Sequence, residues 1–179
     1  MRRVCAWCRA DLGPVESNIH PEDTVTHGIC PSCAARLSSL SVNRPEPLHQ
    51  FLDSLGVPVL LVESEPRVLT GNKLARQMLG KELDEIEGRR GGEVIRCTHA
   101  DTPGGCGKDV HCKSCTIRNT VLETFATGKD FLHVQAYPDI QLDGDVKTMS
   151  LEISTEKVAD VVLLRIDDFG DPPEQEATD

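Results

Sequence analysis

A chain of 179 residues with a net charge of -10, 39% hydrophobic and only 3% aromatic residues can build one ordinary core but offers few rings to stack on bases. That charge opposes nonspecific attraction to nucleic acid or to an anionic membrane, and no apolar run reaches the roughly 18 residues that span a bilayer. Arg2 and Arg3 lead into no apolar stretch of the signal-peptide kind, so the expected location is the cytoplasm, where eight cysteines favour metal ligation over structural disulfides.

Residues 1–43 hold Cys5-x2-Cys8 and Cys30-x2-Cys33 among Gly, Pro and polar residues with little apolar periodicity. So small a segment needs a staple. Each Cys-x-x-Cys turn aims two sulfurs inward, and two such turns complete a tetrahedral shell, so Cys5, Cys8, Cys30 and Cys33 are expected to bind one zinc ion as a zinc ribbon. The 21 residues between the knuckles lie just beyond the usual ribbon window. Gly28 and Pro31 supply turn chemistry at the second knuckle. Four thiolates leave no open position for water or substrate, which favours a structural role over a catalytic one. A DNA-binding finger would need a cysteine pair followed by a histidine pair, with a dense basic helix. His20 and His27 are spare ligands, expected in solvent or hydrogen-bonded to the knuckles.

The module boundary is expected between residues 41 and 47, leaving residues 44–168 as a second domain. Leu48, Phe51, Leu52 and Leu55 recur at three- and four-residue steps, as on one face of a short helix. Residues 57–62 read as a buried strand, 67–69 as a short strand after the Glu65-Pro66 turn, and 72–79 as a helix ended by Gly80. The stretch 91–115 is too long and too poor in apolar residues for a plain connection, which marks it as functional. Residues 116–125 form a predicted helix with Ile117, Val121, Leu122 and Phe125 on one face and Gly128 as its stop. Strands are expected at 131–137, 147–154 and 158–166, and the alternation of Met149, Leu151 and Ile153 with polar residues predicts one solvated face. The order predicts an α+β domain whose antiparallel sheet is covered on one face by helices. Residues 169–179 read as a disordered acidic tail.

A second cysteine set, Cys97-x8-Cys106-x5-Cys112-x2-Cys115, lies in the insertion 91–115. Gly104, Gly105 and Gly107 flank Cys106 and let the backbone turn tightly beside a metal. Zinc accepts four thiolates at irregular spacing and is the first expectation; an iron-sulfur cluster, whose usual ferredoxin spacings are absent, is the second. A dithiol switch of Cys112 and Cys115, poised at the positive end of the following helix, is the third. His99 and His111 are alternative ligands. Arg118, one turn into the helix, is expected in a surface ion pair.

The octapeptide at 26–33, Thr-His-Gly-Ile-Cys-Pro-Ser-Cys, resembles a knuckle of small cysteine ribbons attached to bacterial two-component and PAS signalling proteins. Residues 51–63, Phe-Leu-Asp-Ser-Leu-Gly-Val-Pro-Val-Leu-Leu-Val-Glu, with 67–80 after them, are similar to the opening of a PAS domain, in which an Asn caps the first helix; Asn72 matches it, and capping is its whole expected role. Residues 162–168, Val-Leu-Leu-Arg-Ile-Asp-Asp, resemble the last PAS strand and its acidic junction. The phrase at 105–118 resembles a cysteine-bearing subset of bacterial PAS domains. These resemblances imply a PAS-like sensory domain.

No adduct-forming cysteine of the flavin photoreceptor motif follows Asn72, and the helix at 116–125 has no histidine for haem. None of the Cys-x-x-Cys pairs continues into the histidine of covalent haem attachment. Val59, Leu61, Leu122, Phe125, Met149 and Leu151 are expected to fill the interior, which predicts no tightly held flavin or haem. The expected function is a non-catalytic sensory or regulatory module that signals through a protein partner, such as a signalling kinase or regulator, or through self-association. Alternatives are a thiol-disulfide enzyme using Cys112 and Cys115, against which four cysteines stand where two suffice, and a nucleic-acid-binding zinc protein, against which the charge stands.

Overall fold

The computed structural model describes residues 1–16, 21, 24–40, 45–142 and 144–172, with the side chains of 45–47 left aside. His20, the linker at 41–44 and most of the acidic tail lie outside the described residues. The chain divides into two compact units, Met1–Val57 and Pro58–Asp179.

In the first unit, strands β1 (Arg2–Cys5), β2 (Asp11–Pro14) and β3 (Val25–Gly28) form a sheet in the order β2-β1-β3. β1 runs antiparallel to β2 and parallel to β3, and the latter register sets Cys5 opposite Gly28. Helix α1 (Pro31–Ser39) begins immediately after the second knuckle, where Pro31 at its first turn loses only an N–H that has no intrahelical partner. Helix α2 (Pro45–Asp53) buries Leu48, Phe51 and Leu52, matching the predicted apolar face. Trp7, inside the first knuckle, stacks on Phe51 with ring centroids 4.7 Å apart, and its Nε1 donates to the Phe51 carbonyl at 3.0 Å. Arg36 of α1 sits over the other partner of that stack, 5.3 Å from the Phe51 ring centre. The helix expected to open the second domain thus belongs to the first unit.

The second unit is built on five antiparallel strands: β4 (Val59–Val62), β5 (Val68–Gly71), β6 (Phe131–Ala136), β9 (Ser150–Val158) and β10 (Val161–Gly170), in the order β5-β4-β10-β9-β6. Register places Leu164 opposite Leu60 and Ile166 opposite Ile153, so alternate residues make one apolar face. Helices α3 (Lys73–Leu79) and α5 (Thr116–Thr127) pack on the sheet and contribute Ala75 and Val121 to that core. This is the expected α+β class.

Gly80 and Gly128 end the two helices at φ 60° and 74°, a left-handed backbone that favours glycine. Asn72 exceeds its expected role: its Oδ1 accepts from Ala75 N at 2.9 Å, capping α3, and from Val59 N at 3.0 Å, tying the helix to the start of β4.

Four expectations need correction. The strand predicted at 147–154 breaks at Met149, because residues 139–148 form a separate hairpin of β7 (Asp139–Leu142) and β8 (Asp145–Thr148). All of β8 is exposed, so no apolar alternation announced it. The polar face of β9 is not solvated: Ser150, Glu152 and Ser154 are buried. Glu152 accepts from His133 Nδ1 at 2.5 Å and from Gln135, while Asp167 accepts from Ser154 Oγ at 2.5 Å and from Arg165. Glu152 and Ser154 thus find partners across the strands. The interior is faced by Leu60 and Val62 instead of Val59 and Leu61, a shift of one residue and so of one sheet face. Finally, β10 runs through Phe169, which packs against the core, so the first two residues of the expected tail are strand.

Candidate metal centres

The N-terminal knuckles converge. One sulfur from each of Cys5, Cys8, Cys30 and Cys33 lies within 4.8 Å of all the others, with Cys8 and Cys30 at 3.6 Å. A zinc ion with Zn–S bonds of about 2.3 Å needs sulfurs roughly 3.8 Å apart, so the four cysteines have the dimensions of a tetrahedral shell. Backbone donors surround it: Cys30 N donates to Cys5 Sγ at 3.4 Å and Cys33 N to Cys30 Sγ at 3.5 Å.

Protonation is shared unevenly. Burial works against ionising Cys5, but the amides of Cys8, Cys30 and Trp7 hold its thiol down at about 6. Cys33 is pushed up to about 12 by burial and by the Cys30, Cys5 and Cys8 sulfurs beside it. At Cys8 the Ala10 amide lowers the thiol, yet proximity to Cys30 and Cys5 leaves it raised. Without a cation the cluster does not hold four negative charges. His27 lies 3.2 Å from Arg9 Nη1 through its Nε2, outside the sulfur shell.

The second cysteine set is arranged differently. The insertion folds as helix α4 (Gly91–Val94) and 3-10 turns at Thr98–Ala100 and Val110–Lys113, and α5 follows with Cys115 as its N-cap. Cys97, Cys106, Cys112 and Cys115 all line one cavity of about 100 Å³ beneath the sheet, together with Leu151 and Ile153. Among the described residues, no three of these sulfurs come within 4.8 Å of one another. The expected complete filling of the interior therefore fails: of the six side chains proposed for it, Leu151 alone borders the cavity.

Gly92 N donates to Cys106 Sγ at 3.3 Å, and Gly107 N to Cys112 Sγ at 3.2 Å. Burial raises Cys97 and Cys106; the His99 and Gly92 amides oppose it, and the charges of the neighbouring cysteines reinforce it. All eight cysteines are free thiols in the structure.

Arg118, expected in a surface ion pair, borders the cavity, and so does Arg90, whose Nη1 donates to the Cys106 carbonyl at 3.0 Å. Arg90 carried no sequence signal, since it sits before the insertion's first cysteine and reaches back by folding. Asp109 was also missed. It offers Oδ1 to the His111 amide at 2.9 Å, which lowers its carboxyl, and stands 3.7 Å from His99 Nδ1. The His99 and His111 rings stack at 4.5 Å, and these three residues offer ligand atoms within 4.8 Å of one another. His133, Glu152 and Asp167 form a third such group, but the hydrogen bonds from Gln135, Ser154 and Arg165 account for its carboxylates as a structural network.

Among the described residues, no helix is long and apolar enough to cross a membrane. No protein-family model matches the chain, and no curated protein matches it. Solved structures do. The chain is similar to the PAS domain of BvgS from Bordetella pertussis, at 14% identity and a TM-score of 0.41 over 74% of this chain and 89% of that one. It is similar also to the photoactive yellow protein domain of the sensor histidine kinase Ppr from Rhodospirillum centenum, at 10% identity and a TM-score of 0.44 over 75% and 99%. A third is the PAS domain of nitrogen regulation protein NR(II) from Vibrio parahaemolyticus, at 12% identity and 0.41 over 66% and 94%.

Proposed function

We propose that this chain is a non-catalytic sensory or regulatory module with two metal centres, signalling through a protein partner such as a kinase or regulator, or through self-association. One observation carries the reading: four cysteines surround a cavity whose other wall is the central sheet, so occupancy of the site acts directly on Leu151 and Ile153 of β9. A surface brace would have no such access to the core. The first centre takes zinc and holds the first unit together, with four thiolates leaving no room for a substrate. Metal analysis should be paired with hydrogen exchange on loaded and metal-stripped protein. Protection of β9 and β10 is expected to fall on stripping the second site. Exchange changes confined to 91–115 would reduce that site to a local brace and remove the sensory reading.

Zinc at the first centre has a definite pH dependence. Cys33, at about 12, and Cys8, also raised, hold their protons at neutral pH in the metal-free chain and release them on binding, so affinity rises with pH and falls as protons compete. Cys5, at about 6, joins that competition only when the pH drops through its own value. Zinc retention is therefore expected to decline on acidification and to steepen below about pH 6. Release of zinc to a colorimetric indicator, titrated from neutral pH downward, measures it; pH-independent retention would contradict four thiol ligands.

A further inference from the structure

We infer that the second centre is an iron-sulfur cluster site on Cys97, Cys106, Cys112 and Cys115, with the inorganic core in the cavity these residues enclose. The inference rests on the reading of this site as a metal centre and names its occupant.

The two cysteine sets in one chain make the argument. A single tetrahedral ion draws all its thiolates to roughly 3.8 Å from one another, and Cys5, Cys8, Cys30 and Cys33 are already gathered within 4.8 Å. The second set does not: no three of its sulfurs lie within 4.8 Å of one another, yet all four border the same space. One ion at any point there reaches some of these sulfurs and misses others. A four-iron cluster removes the difficulty, because there each thiolate binds its own iron and the bridged core separates the sulfurs.

The surroundings suit that occupant. A cavity of about 100 Å³ has room for several waters, which is more than one metal ion needs, and it is smaller than the ~300–1,000 Å³ clefts of larger organic ligands. Its walls include the apolar side chains of Ile117, Val121 and Leu151. The Gly92 and Gly107 amides donate to two of the sulfurs, a contact that stabilises thiolate charge and tunes cluster potential. Arg90 and Arg118 bring positive charge to a site where four thiolates concentrate the opposite sign.

Glycine at 92 is itself part of the site: a Cβ there would stand 2.8 Å from Cys106 Sγ. No side chain fits without displacing that sulfur. The irregular spacing of the four cysteines follows from the fold, since two 3-10 turns, a glycine loop and a helix N-cap deliver them from different directions.

The test is anaerobic reconstitution of the full chain with ferrous iron and inorganic sulfide in the presence of one equivalent of zinc, followed by desalting and analysis of iron, sulfide and zinc. Iron and acid-labile sulfide are expected in equal amounts, with broad visible absorption, beside one zinc. Cys106→Ser should lose most of the iron, sulfide and colour, and Gly92→Ala a substantial part, with zinc and far-ultraviolet circular dichroism unchanged in both. A colourless protein that takes a second zinc lost in Cys106→Ser would overturn the cluster and leave the metal centre standing. No metal sensitive to Cys106→Ser would overturn both. Iron without sulfide that survives Cys106→Ser but is lost in His111→Ala would also overturn the cluster, placing a single ion on His99, Asp109 and His111.

Discussion

Replacing Cys30 by serine is expected to remove one zinc ion per chain and to unfold the first unit while the second unit stays folded. Cys30 is buried, its sulfur stands 3.6 Å from that of Cys8, and it caps α1 by accepting from Cys33 N. A hydroxyl at this position is a poor zinc ligand and leaves three sulfurs to hold the ion. Structural zinc sites bind with about 10–16 kcal/mol of apparent free energy at neutral pH, comparable to or above the ~5–15 kcal/mol that stabilises a whole domain. The first unit's three short strands and two helices bury too little to replace that amount.

The readout is built in, because Trp7 is the chain's one tryptophan and lies between Cys5 and Cys8 in stacked contact with Phe51. Loss of the knuckle frees the indole, so its emission should shift to the red. Proteolysis before about residue 45 should speed up several-fold, with the later fragment resistant. Unchanged zinc content in the serine variant would sink the assignment.

Much of the fold was legible because its signals are local. Asn72 and Gly80 bracket α3, Gly128 ends α5, and the apolar runs at 57–62 and 158–166 appear as the adjacent strands β4 and β10. Each rests on capping chemistry or on a short apolar run, which a single sequence carries. The hairpin of β7 and β8 rests on neither. Strand β8 is wholly exposed and held by backbone pairing, which leaves no hydrophobic trace, and β7 buries Ile140 alone.

The face of β4 was assigned wrongly for a related reason. Val59, Leu60, Leu61 and Val62 are all buried, so a run of four apolar residues does not say which two look inward. Burial of Glu152 and Ser154 was hidden in the same way: alternation with polar residues marks a solvated face only when no polar partners from neighbouring strands cover it. His133, Gln135, Arg165 and Asp167 supply them from β6 and β10.

The two candidate metal centres divide along the same line. Two Cys-x-x-Cys turns constrain their own sulfurs within three residues, and the first set indeed converges. The second set has one such pair, and the placement of Cys97 and Cys106 depends on how α4 and the glycine loop fold over the sheet. Sequence alone named those cysteines as candidates but was silent on their separation. Arg90 and Asp109 entered only with the structure, since an arginine before a loop or an aspartate inside one has no distinguishing pattern.

Ile153 is the position where the second unit has most to lose. Its side chain is wholly buried, it faces Ile166 across β9 and β10, and it meets both the core cluster and the floor of the cysteine cavity. Truncation to alanine removes three methyl or methylene groups and leaves a hole that flanking strands, held in register on both sides, have little freedom to close. Ile153→Ala is expected to cost about 2–5 kcal/mol and Ile153→Val about 0.5–1.5 kcal/mol. Val146→Ala on the exposed strand β8 should stay within about 0.5 kcal/mol. Urea denaturation of metal-free protein gives the comparison without the contribution of bound metal, which stabilises the native state by mass action and would mask part of the loss. Against a domain stability of about 5–15 kcal/mol, the alanine variant should lie close to the point at which the second unit no longer folds at physiological temperature. If Ile153→Ala costs no more than Val146→Ala, the face assigned to the core of this sheet is the wrong one, and the cavity beneath the cysteines goes with it.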